Sequence, residues 1–386
     1  MQIVKRKQHS IFIWLLGLYL FLIPFDFYPI AKGFSLLKIL ILLPLVGVLF
    51  EIGKFHSVHK KSIPLLLYVL VVGLTLFYTI NRGRTWNRFT SVALNTGIIM
   101  ICALRHYRKE EIRFLIKSVV YSGWLAFVLC LWIGIDYSYS GRLSIGMNEG
   151  AQDPNYLTGY FFFSISYYVW QYLKNHKKRD LLPVFMFILP ILLTGSRGGL
   201  IALIFAIFST MFFSGKVAFK RIFFLLVIFL LVWLIMLEIL PKELTRRFSV
   251  EFTKEDRGAQ RFDIWEGKME AYMSFNFLHQ LLGYGGGTVL FFKPVESVAH
   301  NVWIESLIEY GLIGTILILS MYLYYIIQAF KLKEKYLFGT IIGYMVMMLS
   351  LSLYSYKPIW TVLLLTILIS KTNKQEYKCD CVEDKN

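Results

Sequence analysis

The segment LLPVFMFILPILLTGSRGGLIALIFAIFSTMFF, residues 181–213, consists of two apolar runs separated by a short polar stretch, TGSRGG at 194–199. A helix needs about 20 apolar residues to cross the hydrocarbon core of a bilayer, which is about 30 Å thick. The first run, residues 181–194, rises only about 21 Å as a helix, at about 1.5 Å per residue. We therefore predict that the turn carrying Arg197 lies recessed, near the lipid headgroups or below them.

Apolar runs of similar length recur along the whole chain, which has 386 residues and is 57% hydrophobic and 17% aromatic. A soluble domain cannot bury so much apolar surface, so the composition predicts a membrane protein. The predicted fold class is all-α: a polytopic transmembrane helical bundle of about 12 spans, with one long extracytoplasmic loop containing short helices. The predicted spans are residues 11–30, 34–52, 63–80, 89–104, 114–135, 156–173, 181–195, 198–213, 222–240, 302–329, 337–355 and 357–370.

The polar segments divide the chain into four parts. Residues 1–240 hold the first nine predicted spans, residues 241–300 form the long loop, residues 301–371 hold the last three spans, and residues 372–386 form a cytoplasmic tail. The first span follows a basic start and lacks a small-residue cleavage site, so we interpret it as a retained helix.

The 41 lysine and arginine residues give the chain a net charge of +17, and they recur in short loops between apolar runs. Alternate loops and both termini carry them, which is the positive-inside pattern of membrane proteins. We therefore predict that both termini are cytoplasmic and that the long loop faces outward from the membrane. Because the charge does not form one basic face, we expect no nucleic-acid partner.

One outer segment, NRGRTWNR at residues 81–88, departs from this pattern, because it places Arg82, Arg84 and Arg88 on the predicted outer side. Either the predicted span boundaries are wrong at this point, or the outer face requires positive charge. On the second interpretation, the three arginines are candidates for a secondary anion-binding patch.

The long outer loop and its end carry the residues best suited to chemistry. Residues 259–275 have apolar side chains three to four positions apart, which predicts an amphipathic helix with Arg261 and Trp265 on one face. His300 precedes Asn301 at the mouth of the next span. Imidazole titrates near neutral pH and can accept a proton from a sugar hydroxyl, although a structural histidine at the interface fits the spacing equally well.

Two further arginines face outward in this topology. Arg197 is flanked by glycines that allow a close backbone approach, and an arginine at membrane depth is costly and usually functional. The competing interpretation is a snorkelling arginine in an ordinary outer hairpin. Arg142 precedes the sequence Asp153-Pro154-Asn155, which is a strong helix-start signal, and it is an additional candidate for substrate contact.

Other kinds of site find little support in the sequence. There is no DxD or HExxH cluster, so we predict no metal site and no cofactor. The glycine run 283–287 lacks the GK[ST] ending of a phosphate-binding loop, and we interpret it as a flexible turn that lets the loop fold back over a cleft. Cys379 and Cys381 are a weak metal signal in a polar tail, whereas Cys102 and Cys130 lie in apolar runs as packing residues.

Taken in order, several short motifs resemble the O-antigen ligase and polymerase superfamily of bacterial surface-polysaccharide enzymes. These motifs are Gly141-Arg142, Asp153-Pro154-Asn155, Thr194-Gly195-Ser196-Arg197-Gly198-Gly199, Arg261 with Trp265, Gly283 with Gly285, and Ala299-His300-Asn301 leading into Glu309-Tyr310-Gly311-Leu312-Ile313-Gly314. The resemblance implies a helical membrane fold whose members transfer glycans from undecaprenyl diphosphate outside the cytoplasmic membrane, without nucleotide or metal.

The resemblance also implies roles for individual residues. Arg197 and Arg261 are expected to clamp the diphosphate, and His300 is expected to act as the base toward the acceptor hydroxyl. These three are the candidate catalytic residues. The candidate substrate-binding residues are Arg82, Arg84, Arg88, Arg142, Trp265 and Asn301.

The predicted function is polymerisation of undecaprenyl-diphosphate-linked repeat units of a surface polysaccharide, such as O-antigen, capsule or exopolysaccharide. The expected partners are this lipid-linked oligosaccharide and membrane lipids. A chain-length regulator protein is a further candidate partner. A ligase that transfers the glycan to lipid A core shares the motifs and is the alternative within the class. A flippase or other transporter is the alternative from another class, although it would place charges at the membrane midplane rather than at the outer rim.

Overall fold

The computed structural model describes residues 9–27, 29–31, 34–56, 60–136, 141–144, 153–214 and 241–383, together with the single positions 223, 227 and 238. Helices account for most of this part of the chain, and the strands form two small antiparallel pairs. The predicted span at 222–240 lies outside the described residues except for three single positions.

The α-helices are α1 (Ile11–Phe21), α2 (Leu36–Leu40), α3 (Leu42–Phe50), α4 (Ile63–Leu74), α5 (Arg82–Leu104), α6 (Lys109–Ile133), α7 (Pro154–Leu157), α8 (Gly159–Asn175), α9 (Leu182–Leu193), α10 (Arg197–Phe212), α11 (Lys242–Arg247), α12 (Val250–Glu255), α13 (Arg261–Met273), α14 (Phe277–Leu282), α15 (Val302–Lys331), α16 (Lys335–Met347) and α17 (Lys357–Glu383). The 3-10 helices are Ile23–Phe27, Ile52–Lys54, Lys60–Ser62, Thr75–Phe77, Lys178–Leu181 and Val289–Phe291. Strand β1 (Pro29–Ala31) pairs with β2 (Phe34–Ser35), and β3 (Ile135–Asp136) pairs with β4 (Arg142–Leu143).

Four helical stretches in the described ranges are long and apolar enough to cross a membrane: Lys60–Phe77, Arg82–Leu104, Lys109–Ile133 and Val302–Lys331. Shorter apolar helices cover Ile11–Phe21, Leu36–Phe50, Arg197–Phe212 and Lys335–Met347. The structure therefore confirms an apolar, mostly helical chain with membrane-length spans. It does not reproduce the count of about twelve, because several predicted spans are short or divided between two helices, as α2 and α3 divide the run at 34–52.

The prediction of an outer loop at residues 81–88 was wrong. Helix α5 already begins at Arg82, and the Asn81 side chain caps it by accepting a hydrogen bond from the Arg84 backbone N–H at 3.0 Å. Asparagine at this position satisfies an N–H group that the helix leaves without a partner. The arginines thus occupy the first two turns of a helix. A search for apolar runs does not detect these turns, because they carry three arginines.

Helices α10 and α16 pack closely because small residues meet at their contact. A Cβ atom added to Gly339 would lie 2.5 Å from the Ala206 carbonyl oxygen, and one added to Gly343 would lie 2.7 Å from the Ala206 Cβ. Membrane helices use such small residues to bring their backbones together. This contact fixes α10, whose first residue is Arg197, against the end of the chain that follows α15.

Helix α15 is broken at Gly311, whose φ of 64° and ψ of −172° are not helical. The glycine run docks on this break: the Tyr284 N–H donates to the Ile308 carbonyl at 3.0 Å, and the Gly285 N–H donates to the Glu309 carbonyl at 2.8 Å. Residues 283–287 therefore include a turn and fold back on another segment, as predicted. The run is a close backbone-to-backbone contact that supplies hydrogen-bond donors to an interrupted helix.

Next to this contact, α5 is joined to α15 by an ion pair. The Arg88 Nη2 lies 3.4 Å from the Glu309 Oε1, and the Glu309 side chain is fully buried. The Arg88 guanidinium also lies over the Tyr354 ring, 4.1 Å from its centroid. A buried carboxylate requires such a partner, because removing it from water is costly.

The long loop contains five short helices, and the helix expected over residues 259–275 is confirmed as α13. Its buried residues include Lys268 as well as Tyr272, so the expected apolar face is not confirmed. Lys268 on α13 is fully buried and its ammonium donates to the backbone carbonyls of Val289, Phe292 and Pro294 at 2.6–2.9 Å. Burial lowers the pKa of Lys268 to about 8. Three carbonyl partners compensate for the lost hydration and hold the segment before His300 against α13.

The C-terminal part differs from the predicted tail. Helix α17 continues as far as Glu383, beyond the predicted span end at residue 370, and its backbone includes Cys379 and Cys381. Cys102 and Cys130 are buried and unbridged, as expected of packing residues.

Gly283→Ala is expected to lower the thermal unfolding temperature of the purified protein. A Cβ there would lie 2.5 Å from backbone atoms of Glu309 and Tyr310, and the φ of +73° is unfavourable for any other residue. We expect a loss of about 2–3 kcal/mol. Gly97→Ala is the control, because nothing lies within 4 Å of its Cβ position in α5 and alanine favours a helix. Equal unfolding temperatures for both variants would contradict the docking of the glycine run.

Arg88→Gln is expected to destabilise the protein by about 3–5 kcal/mol, because it leaves Glu309 buried without its counter-charge. Arg82→Gln on the same helix is the control, since Arg82 is exposed and its loss is expected to change stability by less than about 0.5 kcal/mol. The double variant Arg88→Gln/Glu309→Gln is expected to recover part of the loss in thermal unfolding. No recovery would show that the ion pair does not account for the effect.

Candidate functional site

A tight turn between α9 and α10 positions Arg197. Helix α9 has only 12 residues, and Gly195 adopts a left-handed φ of 58° at the turn. The Ser196 side chain then caps α10 by accepting from the Gly199 N–H at 3.1 Å, and Arg197 is the first residue of the helix. The turn expected at residues 196–199 thus lies slightly earlier, at 194–196, and the arginine stands at the helix start.

The two glycines after Arg197 are sites of close packing. A Cβ on Gly198 would lie 2.3 Å from the Ser350 Oγ, and a Cβ on Gly199 would lie 2.4 Å from the Thr158 Oγ1. Side chains at these positions would push away the segment after α16 and the start of α8. The glycines therefore bring three parts of the chain together beside Arg197.

The Arg197 guanidinium binds a carboxylate of the loop at 241–300. Its Nη2 donates to the Asp256 Oδ2 at 2.7 Å, and its Nη1 donates to the Asp256 Oδ1 at 3.2 Å and to the Thr253 Oγ1 at 2.8 Å. Burial alone would raise the pKa of Asp256, but the hydrogen bonds and positive charge of Arg197, together with backbone hydrogen bonds from Ala259 and Gly258, lower that pKa. This bidentate geometry is the one with which arginine also binds phosphate.

Arg261 and Trp265 lie on the first turns of α13. A Cβ on Gly198 would be 3.9 Å from the Arg261 Nη1, so Arg261 lies beside the start of α10. In the described ranges, the Arg261 guanidinium has no hydrogen-bond or ion-pair partner. The Trp265 Nε1 donates to the Ala299 carbonyl at 2.7 Å, which ties α13 to the residue before His300.

Arg197, Arg261 and Trp265 line one open cavity of about 390 Å³. The remaining lining residues are Leu200, Ile201, Phe248, Thr253, Gly258 and Phe262. The cavity therefore combines two guanidinium groups with an apolar wall. Such a combination suits a ligand that has an anionic group next to a hydrocarbon chain.

His300 lies between α13 and the start of α15, with a left-handed φ of 48°. Burial lowers the pKa of His300, and the positive charge of Arg261 lowers it further, while Asp153 opposes both effects. The imidazole is therefore neutral at neutral pH and can accept a proton. Its Nδ1 is buried, and no described residue provides a hydrogen bond to it.

Arg142 reaches the same region from strand β4, before α7. Its Nε donates to the Thr194 carbonyl at 2.5 Å, and its Nη2 donates to the Asn155 Oδ1 at 3.0 Å. Asp153 caps α7 and accepts from the Asn155 backbone N–H, which confirms the predicted helix start. Burial lowers the pKa of Arg142 to about 10, and the nearby Arg247 adds to this effect.

Two residues of the site were not identified from the sequence, Arg247 and Asp256. The Arg247 Nε donates to the Gly195 carbonyl at 3.3 Å, and burial followed by the charge of Arg197 lowers the pKa of Arg247. Both residues belong to a loop whose positive and negative charges nearly cancel. No spacing pattern in that loop distinguishes an inward-facing charge from a solvated one.

The other candidates lie elsewhere or are engaged by the fold. Asn301 caps α15: its Oδ1 accepts from two backbone N–H groups, and its Nδ2 donates to the Leu349 carbonyl. Arg82 and Arg84 are exposed at the start of α5, and Arg88 is paired with Glu309. None of these four residues lines the cavity. Within the described ranges, no group of three or more His, Cys, Asp or Glu side chains could hold a metal ion.

The structure therefore brings the three predicted catalytic residues into one region. Arg197 and Arg261 share a cavity, and Arg261 acts electrostatically on His300. This arrangement can bind an anionic group with planar, charged donors beside a neutral imidazole. Such a site can stabilise an anionic leaving group while a base removes a proton from a nucleophile.

A comparison with protein families gives one match, to the family described as O-antigen ligase, over residues 181–319. The matched region runs from α9 into α15 and contains Arg197, Arg261 and His300. No curated protein matches the chain. The family predicted from the sequence motifs is thus confirmed for this region. Residues 181–319, which carry the cavity and the histidine beside it, match the O-antigen ligase family.

Proposed function

We propose that the protein is a membrane glycosyltransferase that polymerises undecaprenyl-diphosphate-linked repeat units of a surface polysaccharide, namely an O-antigen, capsule or exopolysaccharide. The proposal rests on one observation: two arginines line a partly apolar cavity, and one of them acts on a neutral histidine. The family match supports an O-antigen ligase or polymerase type of activity in polysaccharide synthesis.

In the proposed reaction, the acceptor is the terminal hydroxyl of one glycan and the donor is a glycan on polyprenyl diphosphate. His300 takes the hydroxyl proton while the acceptor oxygen forms a bond to the anomeric carbon of the donor. The bond from that carbon to the diphosphate oxygen breaks, and its electron pair leaves with the diphosphate. No external oxidant, reductant or nucleotide is required for this exchange.

The arginines act on the leaving group in this scheme. Negative charge grows on the diphosphate as the glycosidic bond breaks, so preorganised guanidinium groups stabilise the transition state more than the ground state. Arg261 is available for this role because its guanidinium has no partner in the described part of the chain. Arg197 takes part by exchanging the Asp256 carboxylate for a phosphoryl group.

The neighbouring residues hold these groups in position. The hydrogen bond from Trp265 to the Ala299 carbonyl links the helix that carries Arg261 to the backbone of His300. The apolar wall, which includes Leu200 and Phe262, is suited to the first isoprene units of the carrier. Holding donor and acceptor together in this way supplies much of the remaining rate.

The cellular setting belongs to the same proposal. Both termini are cytoplasmic, the loop at 241–300 faces outward, and the reaction takes place at the outer face of the bacterial inner membrane without a metal ion or cofactor. The positive-inside distribution of charge supports this orientation. A chain-length regulator is a partner of such a polymerase in this proposal.

A ligase that transfers the finished glycan to lipid A core is the second candidate, because the description of the matched family names that activity. The same groups serve both reactions, since the donor is a polyprenyl diphosphate in each case. The two activities differ in the product that accumulates when transfer stops. A polymerase defect leaves single repeat units on the carrier, whereas a ligase defect leaves long polymer on it.

His300→Ala is expected to abolish polymer formation while membrane insertion and thermal stability stay unchanged, because the variant lacks only the proton acceptor. Single repeat units are expected to accumulate on the lipid carrier in a strain that makes the polysaccharide, as measured by mass spectrometry of extracted lipids. His279→Ala is the control, since His279 lies at the start of α14 and stacks on Tyr284. Normal polymer length in His300→Ala would refute the catalytic assignment, and long polymer on the carrier would identify the ligase.

Arg261→Lys is expected to lower kcat for glycan transfer about 100-fold, because lysine keeps the charge but loses the planar fork that binds two phosphate oxygens. The measurement is polymer formation in reconstituted vesicles supplied with lipid-linked repeat units. Arg257→Lys is the matched control, since Arg257 is exposed and pairs with Asp263 at the surface. Unchanged turnover in Arg261→Lys would mean that a point charge suffices at this position.

A further inference from the structure

Three arginine side chains converge on the turn between α9 and α10. Arg142 donates to the Thr194 carbonyl at 2.5 Å, and Arg247 donates to the Gly195 carbonyl at 3.3 Å. Arg197 follows two positions later as the first residue of α10. Thr194, Gly195 and Arg197 lie within one short turn, because consecutive Cα atoms are about 3.8 Å apart. The three arginines are therefore held at the same turn.

The fourth guanidinium reaches the same place from the outer loop. Arg261 lies beside Gly198, one residue beyond Arg197. Each of the four arginines acts electrostatically on at least one other, and the carboxylates that oppose them are Asp153 and Asp256. Four positive and two negative charges leave an excess of two positive charges when His300 is neutral. A half-buried site with such an excess is suited to a ligand that brings more than one negative charge.

Arg247 has donors left for such a ligand. Its Nε is engaged by the Gly195 carbonyl, whereas its two terminal nitrogens have no hydrogen-bond partner among the residues that the structure describes. The side chain is half-buried, and its neighbour Arg246 instead points to the surface and pairs with Glu255. The chain therefore offers adjacent arginines, one turned into the cluster and one turned away from it.

We infer that Arg247 is a further substrate-binding residue: Arg142 and Arg247 hold one phosphoryl group of the polyprenyl diphosphate, while Arg197 and Arg261 hold the other. The inference rests on the proposed function and deepens it, because it makes the site selective for a diphosphate carrier over a monophosphate carrier. A monophosphate fills one half of the cluster and leaves the positive charges of the other half unpaired. A carrier that has already lost one phosphate therefore competes less well for the site than the diphosphate.

The test measures binding of two probes, undecaprenyl diphosphate and undecaprenyl monophosphate, to the purified full-length protein in detergent. The unmodified protein is expected to bind the diphosphate at least about tenfold more tightly. Arg247→Gln is expected to weaken diphosphate binding about tenfold or more, as the loss of charged hydrogen bonds implies, and to change monophosphate binding less than about twofold. Arg246→Gln is the control and is expected to bind both lipids like the unmodified protein.

Arg247→Lys covers the case in which Arg247→Gln does not fold, since lysine keeps the charge. In Arg247→Lys, a loss of diphosphate affinity below the tenfold expected for Arg247→Gln, with monophosphate affinity unchanged, supports the inference. Equal loss for both lipids would overturn it, because Arg247 would then act only as an anchor for the turn. Unchanged diphosphate binding in Arg247→Gln, with weakened binding in Arg261→Lys, would overturn the inference and leave the proposed function standing. No preference of the unmodified protein for either phospholipid over undecaprenol would overturn both.

Discussion

The backbone contact between the glycine run and the broken turn of α15 is the interaction on which the arrangement of the site depends. An interrupted helix leaves carbonyl groups without partners, and a membrane protein tolerates this only where another segment supplies donors. The N–H groups of Tyr284 and Gly285 do so for Ile308 and Glu309. The contact ties the helices of the loop at 241–300 to α15, so α13, which carries Arg261, packs against the helix that follows His300.

Buried charge is handled in two different ways on either side of this contact. Arg88 and Glu309 form a matched pair, so their charges cancel within the fold. The arginines around the start of α10 outnumber the carboxylates that oppose them. A matched ion pair holds two helices together. An excess of positive charge raises the free energy of the empty site, and a ligand of opposite charge lowers it again.

The sequence was sufficient to place His300, Arg197 and Arg261, because each stands beside a helix boundary marked by glycine, a capping residue or a change in hydropathy. It was not sufficient for Arg88, because its partner Glu309 is 221 residues away and no local pattern predicts that contact. Periodicity likewise predicted the helix over residues 259–275. No pattern in the sequence showed which of Arg246 and Arg247 turns inward. The predicted span count is not confirmed for a related reason, since apolar runs do not reveal where a helix is divided.

The ion pair of Arg197 with Asp256 has a consequence for small anions in the surrounding solution. The carboxylate already gives Arg197 the two charged hydrogen bonds that a small anion could provide. Chloride or a simple organic acid therefore gains nothing by replacing it at Arg197. A ligand that engages several guanidinium groups at once compensates for the exchange. Competition from Asp256 thus protects Arg197 from small anions without any moving barrier.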